Sequence, residues 1–477
     1  MRRLPFLLLA GAILLISISA APAPPPLDDR IDTLLQRWEA NDAFWGITIY
    51  DVDADEMLYS RNADRGFLPA SNQKLITTAA ALDELGSTHR YETTLHFDGT
   101  AEGDVMEGDL ILRGSGDPTF GSVEVNAEDP LEAWATRLAE MGVERIEGRL
   151  IGNDTAFDNR PYPDGWSISY ITRQKGRHLG TSAGALSYRD NVVSLTVDAT
   201  DPGSAPRTAV QPNGIVSLDN RATTSARWRG NTLQVNRTFS TNELVLTGSV
   251  SRSYDGSLAV PVSNPTDYTL RNFKHHLGEA GIETDLEIVG IDSLETSPAQ
   301  SPPLFVSHSP PLGDILSIIN KESNNFYAEQ VFRSFGWGGS TRGAARRING
   351  FLREATIDTR ALSISDGSGL SRENLLTPAA MTTLLAHMTE HPEWETFRAS
   401  LPRGRERNTT IDQRLTRSVI AKTGSLELVR ALSGYTERPN GNRVAFSIIA
   451  NNYTGPSYQI TQTIDAIVEA VGSVPPA

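Results

Sequence analysis

Apolar residues recur three and four apart at Ile31, Leu34, Leu35 and Trp38, which predicts an amphipathic helix over 27–38. Alternation then takes over, and 43–51 and 56–60 read as two strands joined by the acidic turn Asp53-Ala54-Asp55. Pro69 pushes Leu68 towards an extended conformation, so a helix is expected to begin at or just after Ala70, with Gly86 as its C-terminal stop. From about 92 to 305 the texture changes to short β-like runs broken by Gly, Asp, Asn and Pro, at 109–113, 146–152, 192–197, 232–235, 244–249 and 287–291. Helical periodicity interrupts them at 130–141 and 269–281. Beyond a Pro-rich join at 297–303 it returns at 312–319, at 326–335 and from Pro378 to about Met388, where Thr377 is the cap. Runs at 361–364, 418–424, 431–436 and 443–451 read as strands, the last three as an antiparallel meander, and a final helix is expected over 458–471. Strands at both ends of the chain, with helices between them, most simply close into one antiparallel sheet flanked by helices. The β-rich middle is then an insertion, and the fold class is α/β (α+β).

Length and charge narrow the function classes. At 477 residues the chain is long for one domain. Its net charge of −15 and the lack of any long basic run argue against nucleic acid as a partner. Residues 1–20 carry two arginines, an apolar run and then small residues, the pattern of an export signal too short to span a membrane comfortably. Cleavage is expected near Ser19 or Ala20, before a Pro/Ala linker at 21–27; an uncleaved leader is the alternative and would leave a loose membrane association. There is no cysteine, so a disulfide, a thiolate site and a lipid-anchoring cysteine are all impossible. His275-His276 lies in a helical pattern without a third ligand at useful spacing and reads as surface rather than metal site. Arg113-Gly114-Ser115-Gly116-Asp117-Pro118-Thr119 is Gly-rich but precedes no phosphate-loop lysine; a tight turn is expected.

The informative chemistry lies in the helix after Pro69. Ser71 falls in its first turn and Lys74 follows three residues later on the same face, so the amine can reach the hydroxyl where unpaired N–H groups favour negative charge. That is a nucleophile with its base beside it. With 41 serines, a serine three residues before one of the five lysines arises by chance roughly one time in three, and the pair alone is a weak motif. Charge choice sharpens it. Of 43 cationic side chains, 43 − 5 = 38 are arginine, which cannot act as a base, so each lysine that remains is informative. Farther on, Lys321-Glu322-Ser323-Asn324-Asn325 joins two helices. It reads either as a helix cap, the simpler reading of that segment alone, or as a hydroxyl and an amide held at a cleft. The strand at 418–424 ends in Lys422-Thr423-Gly424.

Ser71/Lys74, Ser323/Asn325 and Lys422-Thr423-Gly424, in that order, resemble the three motifs of the active-site serine penicillin-binding proteins and their β-lactamase relatives. The 252-residue separation of Ser71 from Ser323, the β-rich insertion and the segments 67–82, 108–120, 185–191, 366–371 and 421–435 extend the match over essentially the whole mature chain. The chain is thus similar to the three-domain, low-molecular-mass class C D-alanyl-D-alanine carboxypeptidase/endopeptidase family. The resemblance implies a β-lactamase/transpeptidase-like domain over 28–91 and 306–477, interrupted by an insertion at 92–305. Two nested modules are expected there, the inner one at about 200–260.

The resemblance also implies roles. Ser71 would form an acyl-enzyme on peptidoglycan stem peptides and on β-lactams, and Lys74 would be the base for acylation. Ser323 would relay a proton to the leaving amine, and Asn325 would hold the substrate amide and position Lys74. Lys422 and Thr423 would take the substrate carboxylate, with Gly424 beside them, and the N–H groups of Ser71 and Ser425 would form the oxyanion hole. No cofactor and no metal are implied, and the address is the periplasm or the outer face of the cytoplasmic membrane. Ser425 stands where many relatives have threonine, which matters little because only its N–H is invoked. No counterpart of the acidic deacylation residue of class A β-lactamases is found. A β-lactamase or esterase of the same fold is the first alternative, weakened by the long insertion; a non-catalytic wall-binding scaffold is the second, weakened by the intact motif residues.

Overall fold

The computed structural model describes residues 25–37, 42–125, 128–174, 180–228, 230–294, 301–412 and 414–473. The predicted leader, linker residues 21–24, Trp38 and residues 297–300 of the Pro-rich join lie outside the described residues.

The sheet expected from the two chain ends is present, and all its neighbours are antiparallel. Its strands run Ile420–Leu426, Val429–Glu437, Arg443–Asn451, Phe44–Asp51 and Glu56–Arg61 in spatial order. The central strand Arg443–Asn451 reads Val-Ala-Phe-Ser-Ile-Ile-Ala, apolar on both faces but for Ser447, because both faces of the sheet are covered. Alternate side chains separate accordingly. Ala445 and Ile449 pack with Leu75, Ala79, Leu316, Phe332 and Leu385 of the helices on one face. Phe446, Ile448 and Ala450 pack with Ile31 and Leu35 of the helix Leu27–Leu35 and with Ile460, Ile464 and Ile467 of the helix Ser457–Gly472 on the other. Gly86 ends the helix Gln73–Leu85 in a backbone conformation (φ 77°) that favours glycine, and its N–H closes on Leu82 O. The run at 361–364 forms no strand; a single bridge joins Ser363 to Leu375.

The insertion contains a mixed five-stranded sheet. Glu283–Gly290, Arg145–Asn153 and Val105–Arg113 are parallel neighbours, and Glu92–Glu102 and Pro303–His308 extend them antiparallel. Parallel strands need crossovers, which the helices Pro130–Glu140 and Pro265–Glu279 supply. Small sheets built from strands between 173 and 261 complete this region. The Gly-rich stretch at 113–119 is the expected turn, held by Asp117 Oδ1 accepting from Thr119 N at 2.7 Å and from Thr119 Oγ1 at 2.6 Å. One expectation is corrected. His275 is exposed, but His276 is buried, its Nε2 lying 3.2 Å from Tyr188 OH, because its position on the helix faces the core.

The insertion is joined by polar contacts to the helix Asn325–Ser334, which packs on the helical face of the antiparallel sheet. Gln330 Nε2 donates to Gly184 O at 2.9 Å and Gly184 N returns a bond to Gln330 Oε1 at 3.1 Å. Tyr327 OH donates to Ser122 Oγ at 2.8 Å. The wholly buried Arg333 pairs with Asp158 and donates to Ala183 O. Among the described residues, no helix is long and apolar enough to cross a membrane.

Candidate active site

The helix carrying Lys74 is entered through a strained turn. Asn451, at the end of the central strand, grips Leu68 on both sides, accepting its N–H at 2.9 Å and donating to its carbonyl at 3.2 Å. Ala70 then adopts φ 49°, a left-handed conformation that costs an alanine roughly 1–2 kcal/mol. A short 3₁₀ turn, Ala70–Asn72, precedes the α-helix proper at Gln73, so Ser71 sits in that turn, two residues before the α-helix. The strain persists because the turn is clamped. A methyl added at Gly424 of the edge strand would stand 2.6 Å from Pro69 O, and one added at Gly369 would overlap Ala70 O, so both neighbours must be glycine. Asn72 fixes the other side by donating to Ser433 Oγ at 2.6 Å.

Lys74 is entirely buried, and its amine contacts three acceptors: Ser71 Oγ at 3.1 Å, Asn325 Oδ1 at 2.6 Å and Ser368 O at 2.5 Å. Burial pulls its pKa down to about 7; negative charge on Asp366, or on Glu329 were it ionised, opposes that pull. A neutral amine has two N–H groups and one lone pair. The amide oxygen and the Ser368 carbonyl can only accept, so they take the two hydrogens and leave the lone pair facing the Ser71 hydroxyl. This is the geometry of a general base.

The connection at 321–325 does both things that its sequence allowed. Asn324 is the cap, its Oδ1 accepting from Tyr327 N at 3.0 Å, and it opens the helix Asn325–Ser334. Ser323, in a left-handed conformation with φ 61°, and Asn325 on the other side are thereby presented to Lys422 and Lys74. Lys422 Nζ donates to Ser323 Oγ at 2.9 Å and to Thr423 O at 3.0 Å. Burial, and then the neighbouring Lys74, hold its pKa well below the ordinary lysine value.

Strand Ile420–Leu426 is the edge of its sheet. Ala421 N bonds outward to Pro402 O at 3.0 Å, so by the two-residue period the N–H groups of Thr423 and Ser425 also point outward, along the open edge. Thr423 O is accordingly turned to the Lys422 amine. An extended peptide can add to such an edge as a further strand. The structure therefore gathers Ser71, Lys74, Ser323, Asn325 and Lys422 at one place, with Thr423, Gly424 and Ser425 along its rim.

Sequence reasoning gave no role to the loop 365–371, which forms the floor. Asp366 is buried and accepts from five donors: Trp166 Nε1 at 2.7 Å, Ser368 Oγ at 2.9 Å, Gly369 N at 2.8 Å, Ser371 N at 2.9 Å and Asn374 Nδ2 at 2.6 Å. It folds the loop around itself and so aims Ser368 O at Lys74. A carbonyl cannot be read as a site residue from sequence, but an acid inside a Gly/Ser-rich turn is a signal of such a knot. Trp166 comes from the insertion. Trp166→Phe removes one donor to a buried carboxylate and should lower stability by about 1.5–3 kcal/mol. A thermal melt checks this, a melting temperature unchanged from wild type being the adverse result.

Residues 27–471 match the D-Ala-D-Ala carboxypeptidase 3 (S13) family. A D-alanyl-D-alanine carboxypeptidase of an Actinomadura species is 32% identical over 97% of this chain and 88% of its own length. Penicillin-binding protein 4 of Haemophilus influenzae superposes with a TM-score of 0.81 at 23% identity, covering 93% of this chain and 99% of that one. The same protein complexed with a β-lactam superposes with a TM-score of 0.72 at 23% identity, over 91% and 97% of the two chains.

Proposed function

Because the chain belongs to the D-Ala-D-Ala carboxypeptidase 3 family, we propose that its reaction is carried by Ser71 as nucleophile and Lys74 as base. The chain is a serine-type D-Ala-D-Ala carboxypeptidase of peptidoglycan stem peptides. The observation that carries the site assignment is the 3.1 Å contact from the buried Lys74 amine to Ser71 Oγ, with both other acceptors of that amine being carbonyl oxygens.

Ser71 Oγ bonds to the carbonyl carbon of the penultimate D-Ala as its proton passes to Lys74 Nζ, and the carbonyl π pair moves onto oxygen, facing the N–H groups of Ser71 and Ser425. Collapse of this intermediate breaks the C–N bond. Ser323, hydrogen-bonded to Lys422, relays to the leaving amine the proton that Lys74 took from Ser71, which returns Lys74 to the free amine, and Asn325 holds the substrate amide as well as Lys74. Lys422 and Thr423 receive the terminal carboxylate. Water then hydrolyses the ester. The same acyl donor in a cross-link differs only in its leaving amine, so endopeptidase cleavage uses the same steps.

Residues 28–91 with 306–477 are assigned to the catalytic unit and 92–305 to the insertion, the strand Pro303–His308 of the insertion's sheet crossing that boundary. The leader at 1–20 would export the protein to the periplasm or the outer face of the cytoplasmic membrane, where its substrate lies. β-Lactams enter as acylating inhibitors at Ser71. Intact-mass measurement of the mature protein with benzylpenicillin, beside Ser71→Ala, tests the reading. A lasting one-to-one adduct on the wild type alone is expected. No adduct with the antibiotic consumed would favour a β-lactamase, and no adduct with the antibiotic intact a scaffold.

A further inference from the structure

The helix Asn325–Ser334 is buried from Asn325 to Arg333, yet it carries polar side chains at Asn325, Glu329 and Arg333, a four-residue step that places them on one face. Asn325 accepts from Lys74, and Arg333 turns to Asp158, Ala183 O and Gly339 O. The acid between them has no part in the steps above. Glu329 is entirely buried; its Oε2 accepts from Gly367 N at 2.9 Å, and its Oε1 lies in the interior without a hydrogen-bond partner. Gly367 begins the turn whose next carbonyl, Ser368 O, takes a hydrogen from Lys74, while Gly367 O itself accepts from Thr77 Oγ1 at 2.8 Å. Glu329 therefore holds, from beneath, the piece of backbone that aims the Lys74 lone pair.

We infer that Glu329 is a positioning residue that acts as a neutral strut: it anchors Gly367 while placing no negative charge under Lys74. The inference rests on Lys74 as the base of acylation. The groups facing Glu329 set the charge balance. Asp366, accepting on both oxygens from five donors, already supplies the anion of this interior; Arg333 pairs with Asp158, and Lys74 meets three neutral acceptors. Lys422 lies beyond Lys74 and bonds Ser323. A second carboxylate anion here would be buried without a cation in contact and would hold the proton on Lys74 as ammonium, which costs more than keeping acid and amine both neutral. Burial and then Asp366 push the Glu329 carboxyl up to about 8, while burial pulls Lys74 down to about 7.

Three readouts test this. Glutamine reproduces a neutral carboxyl and can accept from Gly367 N. In Glu329→Gln the acid limb of benzylpenicillin acylation should therefore stay within about 0.3 pH units of wild type. Glu329→Leu cannot accept that N–H and should acylate at least about tenfold more slowly while binding is little changed. The third readout is stability. The folded-state pKa of Glu329 is raised from 4.5 to about 8, so its contribution is fully present below the unfolded value and is lost as pH rises through the folded one. The melting temperature of Glu329→Gln should then gain on wild type as pH goes from about 5 to 8. An acid limb displaced downward by about a unit or more would mark Glu329 as an anion and overturn the inference, as would a melting-temperature difference that is flat or falls with pH. Equal acylation by the Leu and Gln variants would overturn the strut. Should the Leu variant not fold, the two measurements on Glu329→Gln still decide the charge. A wild type whose acylation does not rise through neutral pH would overturn the Lys74 reading instead, and the stability comparison would still judge Glu329.

Discussion

Lys74→Arg should lower the rate constant for acylation by benzylpenicillin by about 10³-fold, within the 10²- to 10⁴-fold range of a lost general base. Arginine keeps the charge at this position but does not give up its proton, so the variant separates the need for a cation from the need for a base. The wild type supplies the companion result. Its Lys74 pKa lies near 7, so the free-amine fraction, and with it the acylation rate, should rise as pH increases through 7 and level off above it. The Arg variant should show no such rise, and its melting curve reports whether the larger side chain is accommodated. Retention of acylation within tenfold, in a folded variant, would remove Lys74 from the role of base.

The parts of this site that were legible in the sequence are those that use side chains at fixed short spacing. Ser71 and Lys74 lie three apart on one helix, Ser323 and Asn325 flank a cap, and Lys422-Thr423-Gly424 ends a strand; each pattern survives whatever the rest of the chain does. The sheet was legible for a related reason. Alternation at 43–51 and the apolar run at 444–450, broken only by Ser447, both demand burial, and pairing them satisfies both. What escaped depends on backbone atoms and on partners far away in sequence. Ser368 contributes a carbonyl, which every residue has. Trp166 reaches Asp366 across 200 positions. Glu329 was within reach of a pattern argument, because an acid four residues after Asn325 and four before Arg333, on a helix with an apolar run at 326–328 and again at 331–332, has to face something. Ala70 was not, since an alanine gives no hint of a left-handed backbone; only the glycines at 369 and 424, which make room for it, record the close approach. The parallel strands of the insertion escaped because a short apolar run does not declare its direction, and only the crossover helices decide it.

Asp366→Asn should cost roughly 3–5 kcal/mol of stability, the usual penalty for breaking a buried charged network by changing one partner. The carboxyl group satisfies five donors: the Gly369 and Ser371 N–H groups and the Ser368 hydroxyl of its own loop, Asn374 just beyond it, and Trp166 of the insertion. Asparagine keeps the shape but replaces one accepting oxygen with an NH₂ group, and at whichever oxygen that happens at least two donors meet another donor. The expected result is a melting temperature lowered by several degrees and, where the variant is still folded, acylation slower by at least about tenfold, because Ser368 O loses its fixed aim at Lys74. A double-mutant cycle with Trp166→Phe makes the test specific. If indole and carboxylate act through the 2.7 Å bond between them, the two effects on stability should fall short of additivity by about 1 kcal/mol or more. Full additivity would mean that the insertion and the catalytic loop are stabilised separately, and that Trp166 contributes packing against Ala70, Leu370 and Leu426 rather than a hydrogen bond that carries the insertion's position to the base.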